Sequence, residues 1–214
     1  MVYGRGGEEV LHFRAHGFEP IVIPGISSAL AGPAFTGIPP TQRGVAETLM
    51  IGTGVGRKGK EVELPGYERS RTLVILMGVA RLPQLVERLT KQAEGDSTRR
   101  ASGFGAPYPS YLPIAIIERA SSLDQRLVAS TLDGIISAVE RVGEQRPPGM
   151  MVIGWTVLAL EGRGDLSVLD DAVQCKDDAR LLEERDRKRV KKWLGKDVYL
   201  VKDGLGREWQ ELSD

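Results

Sequence analysis

The chain reads as an α/β protein, and three stretches carry that expectation. Ile21-Val22-Ile23 is a β-branched run that suits a buried strand; Pro24-Gly25 ends it, and Ser27 or Ser28 then caps a helix opened by Ala29, Leu30 and Ala31. Residues 72–78 are continuously apolar, as in a central strand, and a helical stripe of Leu82, Leu85, Val86 and Leu89 follows. Residues 114–118 and 126–131 read as paired strands that lead into a helix over 133–142, with Ile135, Ile136, Val139 and Val142 on its buried face.

Composition narrows the classes. A length of 214 residues allows one or two domains and a sizeable core. The 29 basic and 29 acidic residues balance, which points to neither a nucleic acid nor an acidic membrane surface as partner. A single cysteine, Cys175, excludes a disulfide framework and suits a reducing, cytoplasmic compartment. No apolar run reaches the length of a bilayer span, and residues 1–9 resemble neither a signal nor a transit peptide.

In chain order, residues 8–16 read as a helix with Glu8 and Glu9 in its first turn and Gly17 as its stop. His12 and His16 share a face at a spacing some metal pairs use, but no neighbouring carboxylate or thiol completes a set, so no metal is assigned. Ala31, Gly32 and Ala34 leave a face nearly free of side chains, against which either another backbone packs or a flat ligand lies. A boundary falls near Ala46. Residues 48–53 then read as a strand, and 54–60 as a basic, hairpin-like loop at the mouth of a site. The glycines of that loop match neither a dinucleotide fingerprint, which needs an amphipathic helix next, nor a Walker motif, because Glu61 follows Gly59-Lys60. Residues 93–111 form a long loop rich in Gly, Ser and Pro, and 150–160 a last strand. The tail from about Gly162 is charged. Leu182, Val190, Trp193 and Leu194 give it a helix edge whose mixed charges indicate a solvated helix, and 198–201 adds a short strand.

Gly4-Arg5-Gly6-Gly7-Glu8-Glu9, followed by PGISSALAGPAFTGIPPTQR, resembles the uroporphyrinogen III C-methyltransferases of the tetrapyrrole methylase family. Their pattern is close to GRGGEE and then PGITSAxAxPAYAGIPLTHR. Leu76-Met77-Gly78, Glu118-Arg119-Ala120-Ser121 with Gln125-Arg126, and Arg146-Pro147-Pro148-Gly149 through Val152-Ile153-Gly154 fall in the family's order, so the resemblance runs from about residue 2 to about 160. Two departures stand out. Gln42 occupies the place of a common histidine, and the upstream Gly-x-Gly-Pro-Gly and Gly-Gly-Asp-Pro loops are absent. The resemblance therefore implies a two-lobe fold with its first lobe incomplete: residues 1–46 as a remnant of that lobe, 47–163 as the second lobe, and 164–214 as an extension.

The resemblance also implies S-adenosyl-L-methionine as methyl donor, uroporphyrinogen III as acceptor, precorrin-2 as product on the way to siroheme or cobalamin-type compounds, and a homodimer. It places Val2, Ser27, Ser28, Met77, Ala120 and Gly149 at the cofactor. Methyl transfer from a sulfonium needs alignment rather than a protein nucleophile, so no catalytic residue is assigned. An acceptor with eight carboxylates calls for arginines, and Arg5, Arg43, Arg119 and Arg126 stand at motif positions, each either substrate-binding or structural. Met77 and Ala120 are open to the same two readings, ligand contact or plain core. Two alternatives remain open at this stage: a non-catalytic dimerising or partner-binding remnant, and a later precorrin as substrate.

Overall fold

The computed structural model of the chain describes residues 1–60, 62–91, 106–160 and 164–205. Most of the expected loop over 93–111 and the end of the tail lie outside the described residues. The frame is a six-stranded sheet of β1 (Thr48–Thr53), β2 (Arg71–Leu76), β3 (Pro113–Glu118), β4 (Arg126–Thr131), β5 (Gly149–Ile153) and β6 (Leu200–Asp203), in the order β1-β2-β5-β3-β4-β6. β1 and β2 are parallel and every other pair is antiparallel. A parallel pair needs a crossover, so 54–60 is not a hairpin loop between strands. It closes on itself instead, with the Gly56 N–H donating to Lys60 O at 2.9 Å.

Strand side chains alternate between two faces, and each face has its own apolar layer. On one, Leu73, Ile75, Ile114, Ile116, Val128, Met151 and Ile153 meet α3 (Leu82–Thr90) through Leu82, Leu85, Val86 and Leu89, and α4 (Ile135–Val142) through Ile135, Ala138 and Val139. On the other, Val74, Ala115, Ile117, Leu127, Ala129, Met150 and Val152 meet Ala29 of α2 (Ser28–Phe35), Ile38, Val157 and Leu160. Both helical stripes expected from the spacing of leucine, isoleucine and valine form where the pattern puts them.

Three expectations are corrected. Ile21-Val22-Ile23 is not a strand: Ile21 and Ile23 are 90% and 85% exposed, and no described strand lies beside them to supply a ladder. The strand expected over 150–160 stops at Ile153. Gly154 adopts φ +140°, and a Cβ there would stand 3.0 Å from Arg71 O, so the backbone turns into a 3-10 helix over Trp155–Leu160. The tail forms α5 (Val168–Gln174), α6 (Ala179–Leu194) and β6, but α6 is solvated on one side only. Its Asp186 and Arg189 are buried. Arg69 grips Asp186 with two bonds of 2.6 and 2.7 Å, and Arg189 bonds Asp186 at 2.6 Å and Asp165 at 2.8 Å and pairs with Asp171. Mixed charge therefore encodes a buried network here, because each charge meets its opposite within bonding distance.

α1 (Gly6–Ala15) carries Glu8 and Glu9 in its first turn and buries no residue. The His12 and His16 rings lie 4.4 Å apart at a tilt of 44°, with His16 Nδ1 2.8 Å from His12 O.

Candidate functional site

β2 and β3 flank β5, and both run antiparallel to it, with Leu76 opposite Met150 and Glu118 opposite Gly149. The ends of β2 and β3 therefore share one rim of the sheet with the start of β5. Met77, the Arg119-Ala120 pair and Gly149 all sit on that rim. The backbone there is unusual: Met77, Arg119 and Ser121 have φ of 54°, 48° and 68°. Left-handed non-glycine residues cost of order 1–3 kcal/mol each, so surrounding bonds must hold them, and such residues gather at functional sites.

Those bonds are visible. The Arg119 N–H donates to Pro148 O at 2.8 Å and its Nε to Pro147 O at 3.1 Å, while its Nη1 pairs with Asp124. The Ser122 hydroxyl shares its one proton between Arg119 O at 2.6 Å and Asp124 Oδ1 at 2.8 Å. The hydrogen bond from Ser122, seconded by Arg119, holds the Asp124 carboxyl below its ordinary range. Gln125 Oε1 accepts the Ser121 N–H at 2.8 Å. Met77 is 51% exposed at the end of its strand, so its thioether is presented rather than packed.

α2 closes one side of this rim. A Cβ at Gly32 would fall 2.7 Å from Met150 Sδ and 3.8 Å from Ala120 Cβ, so only a glycine lets the helix sit this close to β5 and Ala120. The small-residue face thus meets another element, with the Ser27-Ser28 end of α2 about one turn along the helix from Gly32. Ser27 is the N-cap residue, as its sequence position suggests, but its side chain makes no capping bond, and Ser28 is exposed. Val2 is exposed beside Tyr3, whose hydroxyl donates to Ile51 O of β1 at 3.1 Å.

The four arginines separate. Arg126 is buried opposite Glu118, its side chain 3% exposed, with Nε 2.6 Å from Glu118 Oε2. Its Nη1 and Nη2 donate to Val142 O and Glu144 O at 2.9 and 2.7 Å. With each nitrogen bonded inside the fold, the geometry favours the structural of its two readings. Glu118 completes the unit by accepting the Arg146 N–H at 2.9 Å. Arg119 is part-exposed on the rim, Arg43 is exposed on the turn before β1, and Arg5 is exposed and paired with Glu8 at 2.9 Å. Sequence reasoning gave no role to Glu118, Gln125 or Arg146 as supports of the rim. The signal for Glu118 was its place at the end of one paired strand, directly across from Arg126 at the start of the next.

The model of the tetrapyrrole (corrin/porphyrin) methylases matches residues 1–136. The chain belongs to that family. It is 41% identical over 155 residues to a probable uroporphyrinogen-III C-methyltransferase of Schizosaccharomyces pombe, covering 72% of this chain and 28% of that protein. It is also 41% identical over 160 residues to the uroporphyrinogen-III C-methyltransferase of Saccharomyces cerevisiae, covering 74% of this chain and 24% of that one. A crystal structure of the Thermus thermophilus uroporphyrin-III C-methyltransferase with S-adenosylhomocysteine superposes at a TM-score of 0.55 and 34% identity, covering 73% of this chain and 62% of that one. The α/β fold expected from the sequence is thus that of a tetrapyrrole methylase. The chain spans only about a quarter of the length of the two yeast relatives.

Proposed function

We propose that this tetrapyrrole methylase chain serves the S-adenosyl-L-methionine-dependent C-methylation of uroporphyrinogen III to precorrin-2, in siroheme or related tetrapyrrole synthesis. The observation that carries this is the convergence of Met77, Ala120 and Gly149 on one strained rim, with α2 packed against it through Gly32. The rim fits an adenosyl thioether. Ala120 and Gly149 put little side chain in its way, Met77 offers an exposed apolar contact, and the serines offer hydroxyls. Val2 joins them at the β1 side. S-adenosyl-L-methionine, when bound, supplies a methyl carbon already activated for in-line displacement. The chain's own residues align the partners and exclude water. Arg119, on the rim, is the foremost candidate for a substrate carboxylate, with Arg43 and Arg5 further out. In this proposal residues 1–46 and 47–163 supply the two sides of the site, with 164–214 as an extension.

Among the described residues no helix is long and apolar enough to cross a membrane. A cytoplasmic homodimer is part of the same proposal. The exposed Ile21, Val22, Ile23 and Ile26 favour a second reading, in which the chain only dimerises or binds a partner.

Calorimetric titration with S-adenosylhomocysteine, paired with transfer of labelled methyl from S-adenosylmethionine to uroporphyrinogen III, separates the two. Binding and transfer support the enzyme. Binding without transfer leaves the cofactor site standing and removes the activity, and no binding leaves only the dimerising module.

A further inference from the structure

β6 lies beyond the residues that match the family model, yet it ends at the rim. Asp203 stands opposite Arg126, and Gly204 follows directly. Gly204 touches the loop that carries Ala120, and Asp203 the loop that leads into Gly149. The Gly204 N–H donates to Gln125 O at 2.7 Å, and Gln125 Nε2 donates back to Gly204 O at 3.4 Å. The other end of that amide, Oε1, holds the left-handed Ser121 through its N–H. On the second loop, Arg146 Nη1 donates to Asp203 Oδ1 at 3.0 Å and to Asp124 O at 3.4 Å, while the Arg146 N–H donates to Glu118. The Pro147 and Pro148 carbonyls then hold Arg119.

We propose that β6 is a positioning element for the rim: Asp203 and Gly204, acting through Gln125 and Arg146, fix the backbone on either side of Ala120 and just before Gly149. Two left-handed residues bracket Ala120, and such conformations persist only where neighbours over-determine them. Asp203 and Gly204 supply part of that determination from outside the matched segment. A rim held in its ligand-ready shape spends less ordering entropy on binding, so the tail raises cofactor affinity without touching the cofactor. This functional consequence rests on the proposed cofactor site; the clamp itself does not.

The test uses the full chain and two readouts. Without ligand, hydrogen exchange is followed in the unsubstituted protein and in Asp203→Ala, Gln125→Ala and Gln125→Glu. Gln125→Ala is expected to speed exchange at amides of 119–125 about tenfold, the size of one neutral hydrogen bond, and Asp203→Ala, which breaks an exposed ion pair, by about threefold. Amides inside β2 and β3, such as those of Val74 and Ile116, should keep their protection. Gln125→Glu retains the acceptor for the Ser121 N–H and should restore protection there while losing the donor to Gly204 O. In the second readout, both alanine variants should bind S-adenosylhomocysteine several-fold more weakly with Tm nearly unchanged. Unchanged exchange in 119–125, or an equal rise throughout β2 and β3, overturns the clamp. If the unsubstituted chain binds no S-adenosylhomocysteine, the cofactor site falls, and exchange alone decides the clamp.

Discussion

Arg126 and Glu118 show how one residue's burial decides its role. Removing the arginine leaves a carboxylate buried without its partner, a change worth roughly 3–5 kcal/mol. For a domain of this size that lowers Tm by about 10 °C. Arg119→Ala breaks a part-exposed pair worth at most ~1 kcal/mol, so its Tm should move only a few degrees. Thermal unfolding of the two variants checks this, and an Arg126→Ala protein that melts normally but loses substrate would restore the residue to the site. Met77 behaves differently again. Met77→Gly relieves a left-handed φ while loosening the unfolded chain, two effects of similar size and opposite sign, so Tm should hold within a few degrees. S-adenosylhomocysteine affinity should fall about tenfold, from the loss of one partly buried apolar contact. A normal affinity would mean that the exposed thioether faces only water. At this scale the motif positions were legible because small, apolar and hydroxyl residues stand in a recognisable order. What the order could not show is which arginine is buried, since that depends on a cross-strand partner met only after folding.

Among elements, the stripes of α3 and α4 and the apolar strands could be read directly, because period and burial coincide there. The end of β5 could not, because apolar residues continue past Gly154 and only a positive φ beside the Arg71 carbonyl makes the turn. Gly154→Val should therefore cost about 2–3 kcal/mol through strain and displaced backbone, seen as a lower urea midpoint. A neutral result would mean that the turn tolerates a side chain. The charge network under α6 was hidden for a related reason: one-letter charge runs do not reveal which side packs. Burial pushes the Asp165 carboxyl up, but bonds from the Ser167 hydroxyl and amide and from Arg189 outweigh it, so its pKa is lowered. A lowered acid stabilises the fold above its unfolded pKa of about 3.9, and that contribution is lost as pH falls through the folded value. Asp165→Asn should remove part of the acid sensitivity of tail docking below about pH 4. Trp193 fluorescence against pH follows it, and identical acid curves for both proteins would exclude Asp165 as a contributor.

Over the whole molecule, the sheet buries both faces while the segment between α1 and α2 buries almost nothing. Phe18, Ile21, Ile23 and Ile26 are 67%, 90%, 85% and 91% exposed, and Val22 and Leu30 are about half exposed. Isolated apolar side chains on a surface are ordinary, but this many within thirteen residues form an apolar strip of the kind that associates. Burying such a strip between copies gains about 25 cal/mol per Å² of apolar area, whereas within one copy it contributes nothing. Two measurements should therefore part company in Ile21→Ser/Ile23→Ser/Ile26→Ser. Its Tm should match the parent within a few degrees at low concentration, since no core contact is lost. Its sedimentation should show a monomer at concentrations where the parent associates, because the driving surface has gone. A fall in Tm of about 10 °C would instead mean that the strip packs against its own chain in solution, and unchanged association would place the interface away from the strip. The α2 serines stay in place in this variant, so S-adenosylhomocysteine affinity serves as the control that the rim is intact.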